Sequence, residues 1–289
     1  MGEELLAEQV RALETGRAFV EHADVALVLV SGPDARAWLH DLVTTDVATL
    51  ERGRSRPSLL LSPTGRIRAS FQVLGLGERR LVLAQRDDEP DSIADLLAPY
   101  VLSSDVTVEV ASDLRLFSLP GAGTAPTWAG EGWRPSIHGP GVDLLIGGAA
   151  PEREAARRRL EEDGLTVVGP RALEAWRVGR GVPRFPVDLD RDSLPAEAGL
   201  DDGTVVDRTK GCFLGQEAVA KVRNLGHPAR VVLAATAEAS VSPGEEVLAA
   251  GRPAGVVTSA YGSSAIVRIR WDAREGPLAT AAGTRLRPR

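Results

Sequence analysis

The residues best placed to do chemistry crowd into one stretch, Asp207 to Arg223. It holds the chain's only cysteine, Cys212, and its only two lysines, Lys210 and Lys221, while arginine supplies every other cation. Where arginine serves every generic need for positive charge, a retained lysine marks a place for a compact ammonium. Gly211 and Gly215 bracket the cysteine and allow close backbone approach. The residues Gln216 to Val222 have helical character with Glu217 in the first turn. This arrangement predicts a thiol just ahead of a helix start, beside Lys210 and Arg208, where the reactive thiolate is favoured. A buried, inert cysteine in a tight turn is the alternative that composition alone supports. A second stretch, Gly179 to Leu200, contains Pro183, Phe185, Pro186 and the run Pro195-Ala196-Glu197-Ala198-Gly199-Leu200. Its prolines hold an extended path, so the Glu197 carboxylate projects from a rigid loop unless it is simply a solvated acid.

Several chemistries are absent. No glycine-rich loop precedes a lysine, and neither Gly-x-Gly-x-x-Gly nor Gly-x-Ser-x-Gly occurs, which removes the common nucleotide cradles and the serine-hydrolase elbow. One cysteine forbids an internal disulfide or a CxxC pair and cannot by itself hold an iron–sulfur cluster. The four histidines, His22, His40, His138 and His227, lack ligand spacing, so no metal site is expected. A net charge of −6 and a pI near 5.4 argue against a broad nucleic-acid face. The apolar run Val25 to Val30 is far shorter than a membrane span needs, and Glu3, Glu4, Glu8 and Glu14 have the wrong charge for a secretory leader. The cytoplasm is the expected address.

The elements that must position these residues follow from periodicity. The 289 residues suffice for two or three domains. Glu3 to Glu21 opens with helical spacing, Val25 to Val30 is strand-like, and Ala35 to Leu42 is a short helix. Leu59 to Leu61, Ile67 to Leu74 and Arg80 to Ala84, separated by Gly and Pro turns, form antiparallel hairpins. Asp91 to Tyr100 is helical, and Val106 to Val110 and Leu114 to Leu119 are strands. The Gly/Pro-rich stretch Pro120 to Gly141 reads as a connection between subdomains or a segment wrapping a surface. Val142 to Ile146 is a strand, and Pro151 to Asp163 and Arg171 to Val178 are helices. Beyond His227, the short apolar strands Val231 to Ala235, Glu246 to Ala249, Gly255 to Ser259 and Ala265 to Trp271 read as a small β-barrel. The expected fold is α+β, with residues 1–225 as two interleaved antiparallel-sheet subdomains, connected near 120–141, and residues 226–289 as the barrel.

The element Lys210-Gly211-Cys212-Phe213-Leu214-Gly215-Gln216-Glu217, with Gly181-Val182-Pro183-Arg184-Phe185-Pro186 and Leu194 to Leu200 before it, resembles the YgfZ-type folate-binding proteins, relatives of the glycine-cleavage T-protein, an aminomethyltransferase. The similarity extends to Leu42 to Val47, the Gly65-Arg66-Ile67 turn and the terminal barrel. It implies a ring-like T-protein arrangement around a tetrahydrofolate site. It also implies a role in maintaining iron–sulfur enzymes, including tRNA-modifying ones, so folate and iron–sulfur client enzymes or assembly proteins are the implied partners. On this resemblance Glu197 accepts the paired N–H donors of the pterin, as a carboxylate accepts a guanidinium. Arg208, Arg223 and Arg177 are candidates for the carboxylates of the folate tail, and Phe185, Phe213 or Trp176 for a wall against its rings. Cys212 and Lys210 would carry the chemistry, with Gly211, Gly215, Gln216 and Glu217 shaping the site.

One departure matters. Where the T-protein has an acid after its Gly-x-Ile strand entry, this chain has Ser70. A neutral hydroxyl neither stabilises a developing ammonium by charge nor accepts a proton near neutral pH. An accessory folate-binding role is therefore the first reading. A folate-dependent aminomethyl- or methyltransferase acting on a small amine is the second, with Asp46 or Asp207 as substitute acids.

Overall fold

The structure is a computed structural model and describes residues 2–102 and 104–289. It resolves into two compact units. The first comprises Met1–Leu61, Arg68–Leu173 and Gly203–Leu214; the second comprises Ser62–Ile67, Glu174–Asp202 and Gly215–Arg289.

In chain order the elements from the N-terminus are α1 (Gly2–Glu14), β1 (Ala18–Glu21), β2 (Val25–Ser31), α2 (Ala35–Leu42), β3 (Ser55–Leu61), β4 (Ile67–Gly77), β5 (Arg80–Arg86), α3 (Ile93–Leu97), β6 (Thr107–Val110), β7 (Leu114–Pro120), β8 (Gly141–Gly147), α4 (Ala150–Glu162), β9 (Thr166–Val167) and α5 (Pro170–Gly179). The first unit holds two sheets, one ordered β3-β4-β5-β2-β6 and the other β8-β7-β1-β9. Side-chain alternation assigns their faces. Val28, Val30, Leu81 and Leu83 point into a core with α2 and α3, whereas Leu27, Val82 and Ala84 meet Leu116 of the second sheet. With both faces of β2 and β5 covered, the apolar runs of these strands are nearly continuous. On the other side of the second sheet, Phe19 and Phe117 pack against Ala156 and Leu160 of α4.

The second unit contains the C-terminal elements α6 (Gln216–Leu225), β10 (Arg230–Ala237), β11 (Glu246–Ala249), β12 (Arg252–Tyr261), β13 (Ser264–Arg270), β14 (Leu278–Thr280) and β15 (Arg285–Pro288). The last six strands close a barrel in the order β10-β13-β12-β11-β14-β15, filled by Val247, Val257, Val267, Ile269 and Leu286. The chain is α+β with antiparallel sheets and a C-terminal barrel, as the sequence predicts.

Four expectations need correction. The opening helix stops at Glu14, and Ala18–Glu21 is a strand. Gly16 makes the break at φ 66°, where a Cβ would lie 2.8 Å from the Gly121 carbonyl oxygen. The stretch 120–141 does not join subdomains; it runs between the paired strands β7 and β8 of one sheet. Trp133 anchors it by donating its indole N–H to the Gly75 carbonyl at 2.8 Å. The barrel needs β14 and β15 to close, two strands of three and four residues, too short to show a period. Finally, the unit that holds the barrel also takes residues 62–67 and 174–202, because the turn Pro195–Ala198 packs against β10.

Candidate functional site

In the first unit the segment before Cys212 is sewn to the end of α2. The Asp207 N–H donates to the Thr44 carbonyl at 2.9 Å, and the Thr44 hydroxyl donates to the Val205 carbonyl at 2.9 Å. The Asp207 carboxylate accepts the N–H groups of Thr209 and Lys210 at 2.7 and 3.1 Å, closing a tight loop. The Lys210 ammonium then donates to the carbonyls of His40, Val43 (2.7 Å) and Cys212 (3.2 Å). Helix ends leave carbonyls unpaired and carry partial negative charge, so a lysine there caps the helix. His40 answers in the opposite direction, donating from Nε2 to the Lys210 carbonyl at 3.1 Å while Nδ1 accepts the N–H groups of Val47 and Ala48. Those bonds fix the neutral tautomer with its proton on Nε2.

The consequence alters the expected role of Lys210. Its three N–H donors are spent on carbonyls, so it positions the cysteine loop and has no proton donor left for a reacting group. Burial pushes its ammonium down to about 8, opposed by the carboxylates of Asp41, Asp46 and Asp207. Gly211 sits at φ 95°, a left-handed conformation that only glycine adopts cheaply. Cys212 is exposed with a free thiol, contrary to the inert buried alternative. Phe213 is half-buried with the Lys210 nitrogen 5.3 Å from its ring centre, Leu214 packs onto the core shared by Val43, Ala69 and Ile93, and Arg208 is exposed.

In the second unit, Gly215 caps α6 at φ 82°, Gln216 is half-buried, Glu217 is exposed in the first turn and Arg223 is exposed in the last. Gly65 lets the tip of the β3–β4 hairpin approach α6, since a Cβ there would lie 2.8 Å from that of Ala218. Glu197 is no solvated acid: it is only 4% exposed. One oxygen accepts two N–H groups of Arg268 at 3.1 and 2.9 Å, and the other accepts the Leu194 N–H at 3.2 Å. An ionised carboxylate offers about four acceptor positions, so roughly one stays open rather than a full fork.

Arg177 does not fit as a clamp for a folate tail. Its five N–H donors go to both oxygens of Glu174, the Val182 carbonyl, Asp188 and the Ser259 hydroxyl. Asp188, fully buried, also accepts the Arg184 N–H and the hydroxyls of Thr258 and Ser259. This knot ties α5 and the loop after it to β12. Phe185 and Trp176 are buried core residues, so neither presents a free ring face.

The acids proposed to replace the residue missing at Ser70 are likewise engaged. Asp46 is held by Thr49 and Arg56, and Asp207 by its own loop. A different carboxyl stands there. Glu89 accepts the backbone N–H of Ser70 at 3.0 Å and the Gln85 amide at 2.9 Å, both on one oxygen. Burial raises it to about 7, against the lowering effect of those two bonds.

Sequence reasoning missed His40, Arg268 and Glu89. Arg268 had a signal, a cation inside the apolar run Ala265 to Ile269. His40 and Glu89 had none, since each acts through backbone groups that no side-chain spacing reveals. A further polar seam runs along the second sheet of the first unit, His22 with Ser118, His138 and Asp24, and Asp143 accepts the Ser118 and Ser136 hydroxyls at 2.6 Å each. Among the described residues no cluster of His, Cys, Asp or Glu could hold a metal ion, and no helix is long and apolar enough to cross a membrane.

Comparison with known proteins agrees with this architecture. Residues 3–124 match the family described as the GCVT N-terminal domain, and residues 229–289 match the CAF17 C-terminal beta-barrel domain. The chain pairs a GCVT-like domain with a CAF17-type barrel. It is 27% identical over 282 residues to the mitochondrial iron-sulfur cluster assembly factor IBA57 of Mus musculus, covering 88% of this chain and 77% of that protein. It is 22% identical over 284 residues to a putative chloroplastic transferase of Arabidopsis thaliana, covering 88% of this chain but only 64% of the plant protein. Its fold matches the crystal structure of the glycine cleavage system aminomethyltransferase T from Bartonella henselae with a TM-score of 0.79, at 20% identity, over 97% of this chain and 87% of that one.

Proposed function

We propose that this chain is a tetrahydrofolate-binding accessory protein that supports assembly or repair of iron–sulfur enzymes, tRNA-modifying ones included, with Cys212 as a functional thiol. The observation that carries the reading is the presentation of Cys212, the chain's only sulfhydryl, on a loop immobilised by Lys210 and His40 yet exposed to solvent. A cysteine kept only for packing would be buried. Support comes from relatives named as iron–sulfur assembly factors and from a fold shared with an aminomethyltransferase.

The residues present fit a reduced folate in part. Glu197 is held beside a permanent cation, Arg268, and keeps an acceptor position for a pterin N–H. Arg223 is exposed and suits the tail carboxylates, a task for which Arg177 has no donor left. When bound, the folate would supply a one-carbon carrier. Having no second cysteine, the protein would use Cys212 toward a partner, by transient iron ligation or by attack of its thiolate on a partner's disulfide, which forms the mixed disulfide and releases the partner's other sulfur as a thiolate.

Calorimetric titration of tetrahydrofolate into wild type and Glu197→Ala tests the binding half. Saturable binding that the variant loses while keeping its fold is expected; no binding by wild type ends the reading. Complementation of a deletion strain with Cys212→Ser tests the other half: client iron–sulfur enzyme activity should fall, and normal activity would reduce the protein to a scaffold.

A further inference from the structure

We propose that the His22–His138 pair is an acid-sensitive latch inside the first unit: the pair takes up one proton at His22 Nε2, and its arrival reverses the His138 tautomer and breaks the contact between His138 and Arg86. Counting donors and acceptors places most of the protons. The hydrogen bond from His22, with Arg86 behind it, holds Asp24 below its ordinary range against partial burial, so between β1 and β2 stands an ionised carboxylate. At 3.2 Å from it, His22 Nδ1 must therefore donate. Ser118 on β7 and Ser136 each own one hydroxyl proton, and both go to Asp143 Oδ1 at 2.6 Å. The Ser118 oxygen, 3.0 Å from His22 Nε2, can then only accept. Arg86, at the end of β5, can only donate, and its guanidinium lies 3.2 Å from Asp24 and 3.5 Å from His138 Nδ1. His138 Nδ1 is thus bare, and the ring's proton sits on Nε2, 3.2 Å from His22 Nε2.

One nitrogen now meets opposite demands. Ser118 needs an N–H from His22 Nε2, whereas His138 needs its lone pair. Neutral His22 serves His138 and leaves two lone pairs facing each other at Ser118. Charged His22 serves Asp24 and Ser118 and drives the His138 proton from Nε2 to Nδ1, where it confronts the Arg86 N–H. The stacked rings, 5.1 Å between centres, keep the two nitrogens in contact. The incoming proton, from solvent, forms one N–H bond on His22; within His138 one N–H bond breaks and another forms, so that ring stays neutral.

The surrounding charges favour His22 as the seat. Asp24 flanks it directly and Asp143 through Ser118. Burial, then a charge on His22 and the Arg86 guanidinium, hold His138 well below the ordinary histidine range, against Asp24. Glu21 is turned to Arg153 at 2.8 Å, and Asp87 meets Asp24 only through its backbone N–H, at 3.0 Å to the carbonyl. Asp143 is the competing seat, since burial raises it against the two hydroxyls, the Ile137 N–H and His22. The latch acts on the stretch between β7 and β8, which carries His138 and which Arg86 ties to the end of β5. Acid loosens that tie while Trp133 keeps its own to Gly75.

Nitrogen-15 NMR of the imidazoles from about pH 5 to 8, with amide hydrogen exchange on the full chain, tests this. A single titration at His22 is expected, with His138 neutral throughout and its proton moving from Nε2 to Nδ1 across the same step. Exchange of the Gly139 N–H, bonded to the Ser136 carbonyl at 2.9 Å, should rise about fivefold on the acid side, the effect of one modest hydrogen bond. Ser118→Ala removes the demand for an N–H and should move the step down by about one pH unit. Should that core variant not fold, Arg86→Met, at the strand end, should move the step up and keep the tautomer change. Separate titrations of the two rings, a His138 that keeps one tautomer, a proton that lands on the Asp143 carboxyl by carbon-13 NMR, or unchanged Gly139 exchange across the step would each overturn the latch.

Discussion

The buried carboxylates of the second unit and Glu89 of the first differ in one respect. Asp188 and Glu197 each lie against an arginine, whereas Glu89 has only neutral amide donors. Lying against a guanidinium, a buried carboxyl works as an anchor, for the knot at Asp188 and in the folate reading at Glu197; among neutral amides, burial raises Glu89 to about 7, within reach of proton exchange near neutral pH. The partner, rather than the residue type, separates the two roles.

Removing the partner should show this most strongly at the knot. Asp188→Ala leaves the Arg177 guanidinium and three further donors without their acceptor, and should lower unfolding stability by about 3–5 kcal/mol in urea denaturation. A change below about 1 kcal/mol would mean that the knot is not architectural.

Glu89→Gln should act with the opposite sign. The folded-state value, about 7, lies above the ordinary 4.5, so wild type keeps this contribution fully below pH 4.5 and loses it as pH rises through 7. Above pH 7 the variant should be more stable by up to about 3 kcal/mol, a gap that closes toward pH 4.5. Thermal melts at several pH values read the difference; equal pH slopes would contradict it.

These two outcomes also mark how far the sequence could be read. Ala35 to Leu42 and the strands of the first sheet announced themselves because each buries a face with its own period. β14 and β15 did not, since three or four residues carry no period and exist only by closing the barrel. Cys212 and Glu197 could be singled out by type and setting. The saturation of Arg177 was not, because whether a guanidinium is free depends on residues as distant in sequence as Ser259. Glu89 was illegible for a related reason: its partner is a backbone N–H.

Smaller effects sharpen the contrast. Lys210→Met removes the ammonium that caps α2 and should cost about 1–2 kcal/mol, with faster alkylation of Cys212 as its loop loosens. Unchanged stability would deny Lys210 its positioning role. Arg68→Ala should be the mildest, below about 1 kcal/mol, because its pair with Asp91 is partly exposed. A larger loss would show that Arg68 supports the Glu89 loop as well.

The most direct measurement of the central claim is titration calorimetry of tetrahydrofolate with wild type, Glu197→Ala and Cys212→Ser at neutral pH. The account predicts one saturable site in wild type, retained by the cysteine variant and lost by the folded glutamate variant. A wild type that gives no binding heat, or a Glu197→Ala protein that binds as tightly, would contradict it.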